Sequence, residues 1–133
     1  MKNLVLMSTL FWICLGLVSV QGSKAQGSDP QSFDNPKEPV EVAAGQEFRI
    51  VLDANPTTGY QWQLSASLDD GIVTLVGNDY QMPRTDRVGA GGKQIWTFRA
   101  AGQGQTTIGL VYLRHWEKGI PPIKNVTFTV IVR

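Results

Sequence analysis

Apolar side chains recur at every second position from Val40 onward, as in Phe48, Ile50 and Leu52. Successive side chains of a β-strand point to opposite faces, so this period predicts strands with one buried face. No helical pattern exceeds a single turn. Seven or eight strands are predicted, over residues 40–42, 47–53, 60–65, 72–76, 78–82, 94–101, 106–114 and 125–132.

Turn-forming residues separate these runs at intervals of roughly 8–12 residues, a spacing typical of β-sandwiches. The span 40–133 is long enough to bury a core as one domain. The sequence therefore predicts an immunoglobulin-like antiparallel β-sandwich. Cys14 is the only cysteine, so the disulfide framework of antibody domains is absent and only the architecture is shared.

The N-terminal residues have the pattern of a secretory signal peptide. The apolar run from Leu4 to Val20 follows a charged start and precedes small and polar residues. Cleavage is expected after Ala25, with cleavage after Gly22 as the alternative. An uncleaved anchor is a second alternative, because the 17-residue run is near the shortest length that spans a bilayer. We expect export to the periplasm or the exterior, with residues 26–39 as a flexible leader.

Loss of residues 1–25 would leave a chain without cysteine, and therefore without a disulfide, a thiol nucleophile or a thiolate metal site. The chain has 12 basic and 11 acidic residues, and removing Lys2 and Lys24 leaves 10 against 11, a net charge of −1. This balance gives no bulk attraction for nucleic acid. We expect no cofactor, no metal, and no membrane association once the signal is removed.

The side chains needed for catalysis are scarce. His115 is the only histidine, and no G-x-S-x-G motif accompanies it, so a serine triad and a histidine-rich metal site are both disfavoured. Asp69-Asp70-Gly71 is typical of a turn rather than of paired catalytic carboxylates. Asn125-Val126-Thr127 matches the N-glycosylation pattern, but it lies in a predicted strand. We therefore do not expect an enzyme.

The loop Asn55-Pro56-Thr57-Thr58-Gly59 is rich in turn-forming residues. Pro56 fixes its own φ and restricts Asn55, and Gly59 can adopt positive φ where the next strand begins. The result is a stiff loop with two small hydroxyl side chains, Thr57 and Thr58, at its tip. A plain turn is the alternative interpretation.

Two further loops have unusual composition. In Gly89-Ala90-Gly91-Gly92, three residues lack a side chain, so another chain can approach the backbone closely. A flexible linker is the alternative interpretation. Arg114-His115-Trp116 carries residue types that dominate binding interfaces. Alternatively, Trp116 packs on the rim of the core with Arg114 stacked on it. By predicted strand order, we expect all three loops at one end of the sandwich, where they form a binding surface.

Together, the three motifs resemble the chagasin family of cysteine protease inhibitors over about residues 40–133. The resemblance implies tight, reversible, non-covalent inhibition of papain-like cysteine proteases, with the loops filling the active-site cleft. By position, residues 55–59 would reach the catalytic cysteine, with Thr57 and Thr58 packed against it. Residues 89–92 would pair with the non-primed side. Arg114 and Trp116 would lie on the primed side, with Trp116 against an aromatic wall.

His115 stands where that family usually has proline. Histidine leaves the loop less restricted and can gain charge on acidification, so we expect affinity to vary with pH more than in relatives with proline. We expect a monomer, because three loops at one end need no second subunit. The alternative function is a secreted immunoglobulin-like module for adhesion or for binding carbohydrate or peptide. That alternative does not account for the loop 55–59 or for the bare glycines.

Overall fold

The computed structural model describes residues 29–84, 87 and 89–133, so the predicted signal peptide lies outside the described residues. Two four-stranded sheets enclose one core, which confirms the predicted β-sandwich. One sheet has the order β1-β3-β6-β5 and the other β2-β8-β7-β4. The strands are β1 Gln31–Phe33, β2 Val40–Val42, β3 Glu47–Ala54, β4 Gln61–Leu64, β5 Val73–Gln81, β6 Gly92–Ala100, β7 Gly104–Leu113 and β8 Lys124–Val132.

The core consists of the inward-facing side chains that the alternation marked. Phe48, Phe98 and Phe128 are fully buried, and the rings of Phe48 and Phe98 stack at 5.5 Å between centroids. Full burial of a side chain of this size contributes about 1.5–3 kcal/mol through the hydrophobic effect. The two sheets are therefore held together mainly by the alternate residues of β3, β6, β7 and β8.

The two predicted segments 72–76 and 78–82 form the single strand β5. Its pairing with β6 shifts register between Leu75 and Gly77. One extra residue in one strand of an antiparallel pair is a β-bulge, which bends the strand without ending it. The bend predicted at Gly77 is therefore present, and the strand continues through it.

The N-terminal part of the domain corrects two details of the prediction. Residues 31–33, expected within a flexible leader, form β1, which pairs in parallel with β3, and Phe33 packs edge-on against Phe48. β2 also pairs in parallel, with β8, although an antiparallel sandwich was predicted. Both strands have three residues. Their direction depends on distant partners, which a period-two pattern does not reveal.

The strand register places three loops at the same end of the sandwich. In the first sheet, Ala54 at the end of β3 lies opposite Gly92 at the start of β6. In the second sheet, Gln61 at the start of β4 lies opposite Leu113 at the end of β7. We call residues 55–60 loop 1, the described residues 82–84, 87 and 89–91 loop 2, and residues 114–123 loop 3, and we call this end the loop end. As predicted, the three unusual motifs are neighbours in space.

Within the described part of the chain, no helix has the length and apolar character needed to cross a membrane. Over the same residues, no group of three or more histidine, cysteine, aspartate or glutamate side chains is arranged to hold a metal ion.

Candidate functional site

Loop 1 is a closed turn held by its own side chains. Residues Pro56–Thr58 form a single 3-10 turn, which ends at Gly59 with φ of 81°. The Asn55 side-chain oxygen accepts hydrogen bonds from the Thr57 backbone N–H at 3.2 Å and the Thr57 hydroxyl at 2.6 Å. The Thr58 hydroxyl donates to the Asn55 carbonyl at 2.7 Å. Proline at the first position and a capping asparagine make this conformation stiff.

Asn55 also fastens loop 1 to its surroundings. Its backbone N–H donates to the hydroxyl of Tyr112 on β7 at 3.1 Å. Its side-chain amide donates to the carbonyl of Gly89 in loop 2 at 2.9 Å. The side chain thus uses its oxygen within loop 1 and its nitrogen between loops 1 and 2, a division that only an amide of this length provides here.

Arg114 fastens loop 3 to loop 1. Its Nε donates to the Thr58 carbonyl at 3.0 Å, and its Nη1 pairs with the Glu117 carboxylate at 3.0 Å. The guanidinium lies 4.3 Å from the centre of the Tyr60 ring, within range of a cation–π interaction. Arg114 stacks on Tyr60 rather than on Trp116, and it is directed toward loop 1.

Trp116 lies against Gly59, and the contact leaves no room for a side chain at that position. A Cβ built on Gly59 would lie 2.9 Å from Cζ2 of Trp116 and closer still to Cη2. Glycine is therefore required at position 59 for two reasons: the positive φ disfavours other residues, and the Trp116 indole occupies the space of a side chain. Trp116 nevertheless keeps 56% of its surface exposed, so one edge packs on loop 1 while the rest faces solvent.

The glycines of the second motif have different environments. Gly89 is exposed with φ of 80°, and Gly91 is exposed, although a Cβ built on it would lie 3.3 Å from the Ala54 carbonyl oxygen. Gly92 is buried and pairs with Ala54, and a Cβ there would collide with the Tyr80 ring and the Gln81 carbonyl. Gly92 was expected on the binding surface, but its bare backbone instead accommodates residues of its own chain.

The chain matches a family model described as Chagasin family peptidase inhibitor I42 over residues 41–132, from within β2 to the end of β8. The chain belongs to the chagasin family. Chagasin of Trypanosoma cruzi is 31% identical over 95 residues, which cover 69% of this chain and 84% of that protein. Amoebiasin-2 of Entamoeba histolytica is 31% identical over 86 residues, covering 65% of this chain and 70% of the relative.

A solved structure supports the same assignment. The cysteine protease inhibitor EhICP2 from Entamoeba histolytica superposes with a TM-score of 0.64 at 26% identity, covering 77% of this chain and 95% of that protein. The protein is therefore a chagasin-family cysteine protease inhibitor and not an enzyme. The resemblance inferred from the three motifs is confirmed, as is the expectation that the chain is not an enzyme.

In this chagasin-family chain, the motif residues divide into an exposed group and an internal group. Pro56, Thr57, Thr58, His115 and Trp116 are exposed at the loop end, together with Gly89 and Gly91. Asn55, Gly59, Ala90 and Arg114 are half-buried, and Gly92 is buried. The exposed group is available to a partner, whereas Asn55 and Arg114 direct their polar atoms at neighbouring loops.

The motif-based prediction did not include three residues that hold the inhibitor's loops. The Tyr112 hydroxyl accepts a hydrogen bond from the Asn55 N–H, and its ring stacks on Trp62 with centroids 4.9 Å apart and lies tilted to Tyr60 at 5.4 Å. The Tyr60 ring lies against the Arg114 guanidinium, and the Glu117 carboxylate forms a salt bridge with the same guanidinium. The spacing of Arg114 and Glu117, three residues apart, was a usable signal for their pairing. Nothing in the sequence links Tyr112 to a loop 57 residues away.

Proposed function

We propose that this inhibitor acts on papain-like cysteine proteases, and that loops 1, 2 and 3 together fill the active-site cleft reversibly and without a covalent bond. The observation that carries the proposal is the direct fastening of loops 2 and 3 to loop 1, through Asn55 to Gly89 and through Arg114 to Thr58. The loop end thereby offers a single continuous surface, with loop 1 at its centre.

Preorganisation favours tight binding. A flexible loop loses conformational entropy when a partner orders it, and this loss subtracts from the affinity. Loop 1 is already closed by hydrogen bonds from Thr57 and Thr58, and Trp116 already rests on Gly59. We therefore expect little affinity to be lost to ordering the loops, over an interface of about 1,600 Å² in total.

The conformation of loop 1 also suits an inhibitor rather than a substrate. Proteases bind extended backbone, and hydrolysis needs the attacking and scissile atoms close together and aligned. The Asn55 carbonyl accepts a hydrogen bond from the Thr58 hydroxyl, and the Thr58 carbonyl accepts one from Nε of Arg114. Extending the backbone at this tip would break both hydrogen bonds, so loop 1 resists the geometry required for cleavage.

Each loop has a proposed part in the complex. Thr57 and Thr58 face the catalytic cysteine, since they occupy the exposed tip of the central loop. Residues 89–91 pair through their backbone with the non-primed side of the cleft, while Gly92 remains within β6. Trp116, with His115 beside it, covers the primed side, and Arg114 supports loop 1 from within.

Titration of the purified protein against papain, followed by hydrolysis of a fluorogenic peptide, tests the proposal. We expect stoichiometric and reversible inhibition that weakens in Thr58→Ala and Trp116→Ala. Thr107→Ala is the matched control, because Thr107 is an exposed threonine on β7 outside the three loops. Absence of inhibition of papain and of a panel of related proteases would reject papain-like enzymes as the target class.

We also propose that the protein is exported by residues 1–25 and acts as a monomer in the periplasm or outside the cell. The support for export is the order of charged, apolar and small residues in this segment. Mass spectrometry of the protein recovered from cell fractions measures the new N-terminus, and we expect it at Gln26. Light scattering at increasing concentration tests the monomer, and a mass that doubles would contradict it.

A further inference from the structure

A groove of about 310 Å³ opens at the loop end, between loop 1 and the start of β8. Loop 1 contributes Asn55 and Thr58, and the opposite wall includes Ile123. The rings of Tyr60 and Tyr112, 5.4 Å apart, also line it. Its volume equals that of roughly ten water molecules at about 30 Å³ each, enough for a side chain of a partner.

Loop 3 carries two exposed isoleucines in addition to Trp116. Ile120 is 57% exposed and Ile123 is 54% exposed, comparable with the 56% of Trp116. Ile123 is also held in place, because its backbone N–H donates to the Tyr112 carbonyl at 3.0 Å. Three large exposed apolar side chains within one ten-residue loop favour an interaction site on loop 3.

The groove is continuous with the proposed protease-binding surface. Thr58 belongs both to the exposed tip of loop 1 and to the wall of the groove. A partner that covers the tip of loop 1 therefore also reaches the mouth of the groove. Loop 1 therefore contacts Trp116 through Gly59 and shares the groove with Ile123 through Thr58.

We propose that Ile120, Ile123 and this groove form an apolar extension of the binding surface, which accepts an apolar side chain from the rim of the target protease's cleft. The inference rests on the proposed function and adds a determinant of selectivity to it. A protease with an apolar rim beside the cleft gains affinity from this extension, and a protease with a charged rim must desolvate that charge.

Inhibition of papain by Ile120→Ser/Ile123→Ser tests the extension, with Leu75→Ser/Val76→Ser as the matched control. Leu75 and Val76 are 43% and 50% exposed. They lie on β5, where Leu75 is opposite Phe98 of β6, away from the loop end. We expect the loop 3 variant to raise the inhibition constant about tenfold, from the apolar area left unburied, and the control to leave it unchanged. Equal inhibition constants for wild type and the loop 3 variant would overturn the extension alone.

Two results separate this inference from the proposed function. Failure of the wild-type protein to inhibit papain-like proteases overturns both. Inhibition by wild type that weakens in Trp116→Ala but not in Ile120→Ser/Ile123→Ser retains the function and rejects the extension.

Methyl NMR of isoleucine-labelled protein gives an independent measurement that does not depend on altered variants. On addition of papain we expect the δ1 methyl signals of Ile120 and Ile123 to shift and to show contacts with protease protons. Ile72, which packs near Gly104 away from the loops, is the control signal and should stay in place. Shifts that depend on inhibitor concentration without papain would instead assign the surface to contacts between copies of the chain and overturn the proposal.

Discussion

Both ends of the sandwich have turns with the same kinds of residues, but different groups hold these turns to the rest of the protein. At the end opposite the loops, turns are joined to other strands by backbone hydrogen bonds, such as Gly45 N–H to the Ala100 carbonyl and Ala101 N–H to the Ile72 carbonyl. At the loop end, the side chains of Asn55 and Arg114 join one loop to another. Substitutions should therefore be tolerated at the opposite end and should disturb the loop end.

Two glycines with nearly equal dihedral angles sharpen this contrast. Gly45 has φ of 89° and Gly59 has φ of 81°. A Cβ on Gly45 would meet nothing within 4 Å, whereas a Cβ on Gly59 would collide with Trp116. The backbone requirement is shared, and the side-chain contact is confined to the loop end. Substitution of Gly59 is therefore expected to disturb a contact between loops, whereas substitution of Gly45 changes only the backbone energy.

The largest effect is expected from Gly59→Ala. Both Gly59→Ala and Gly45→Ala place a Cβ at positive φ, a cost of about 1–2 kcal/mol in stability, visible as a lower Tm. Gly59→Ala also displaces Trp116, so we expect its inhibition constant for papain to rise about 100-fold, while that of Gly45→Ala stays within about twofold. Equal inhibition constants for the two variants would contradict the contact between Trp116 and loop 1.

Asn55→Ala should have the next largest effect. It removes the acceptor for Thr57 and the donor to Gly89, and each such hydrogen bond contributes about 1 kcal/mol. We expect inhibition to weaken about 20-fold. Asn35→Ala is the control, because the Asn35 side chain accepts a similar turn hydrogen bond from the Lys37 N–H before β2.

Asn55→Asp separates the two roles of Asn55. Aspartate keeps an acceptor for Thr57 but cannot donate to the Gly89 carbonyl. We expect an inhibition constant between those of wild type and Asn55→Ala. A value equal to wild type would show that the link between loops 1 and 2 contributes nothing to binding.

Glu117→Gln should weaken inhibition by about three- to fivefold. The pair of Arg114 and Glu117 has side chains 34% and 26% exposed, and half-buried pairs of this kind contribute up to about 1 kcal/mol. The more exposed pair of Arg133 and Glu41, at 74% and 52%, provides the control variant Glu41→Gln, for which we expect no change. An effect of Glu117→Gln on Tm without one on the inhibition constant would limit Glu117 to a structural role.

The smallest effect is expected from His115→Pro. His115 is exposed and its ring meets Trp116 edge-on at 5.0 Å, with the charged groups of Arg114, Glu117 and Lys118 in the same loop. We expect inhibition at a single pH to change by less than about threefold, since the histidine makes one weak ring contact. Inhibition constants at pH 5 and pH 8 should differ more for wild type than for the proline variant. Identical pH profiles would exclude a role for histidine charge.

Local patterns predicted more of the fold than of the site. Alternation identified the inward-facing residues of β3 and β8 because side-chain direction follows directly from strand geometry. It did not reveal β1, since Gln31–Phe33 is too short to show a period and is stabilised by pairing with β3. The motifs marked the three loops that the structure brings to one end, but they did not distinguish Gly92, which is buried, from the exposed residues, or show that Arg114 bonds to loop 1.

The sequence by itself determined the sandwich and its inward-facing residues, because strand period and turn residues act over a few positions. Only the tertiary structure decided that Arg114 bonds to loop 1, that Tyr80 and Gln81 occupy the space beside Gly92, and that the Tyr112 hydroxyl holds Asn55. The contacts of Arg114 with Thr58 and of Tyr112 with Asn55 join residues 56 and 57 positions apart. They exist only because strand pairing brings β3, β6 and β7 to one end, and no local pattern encodes which side chains then meet.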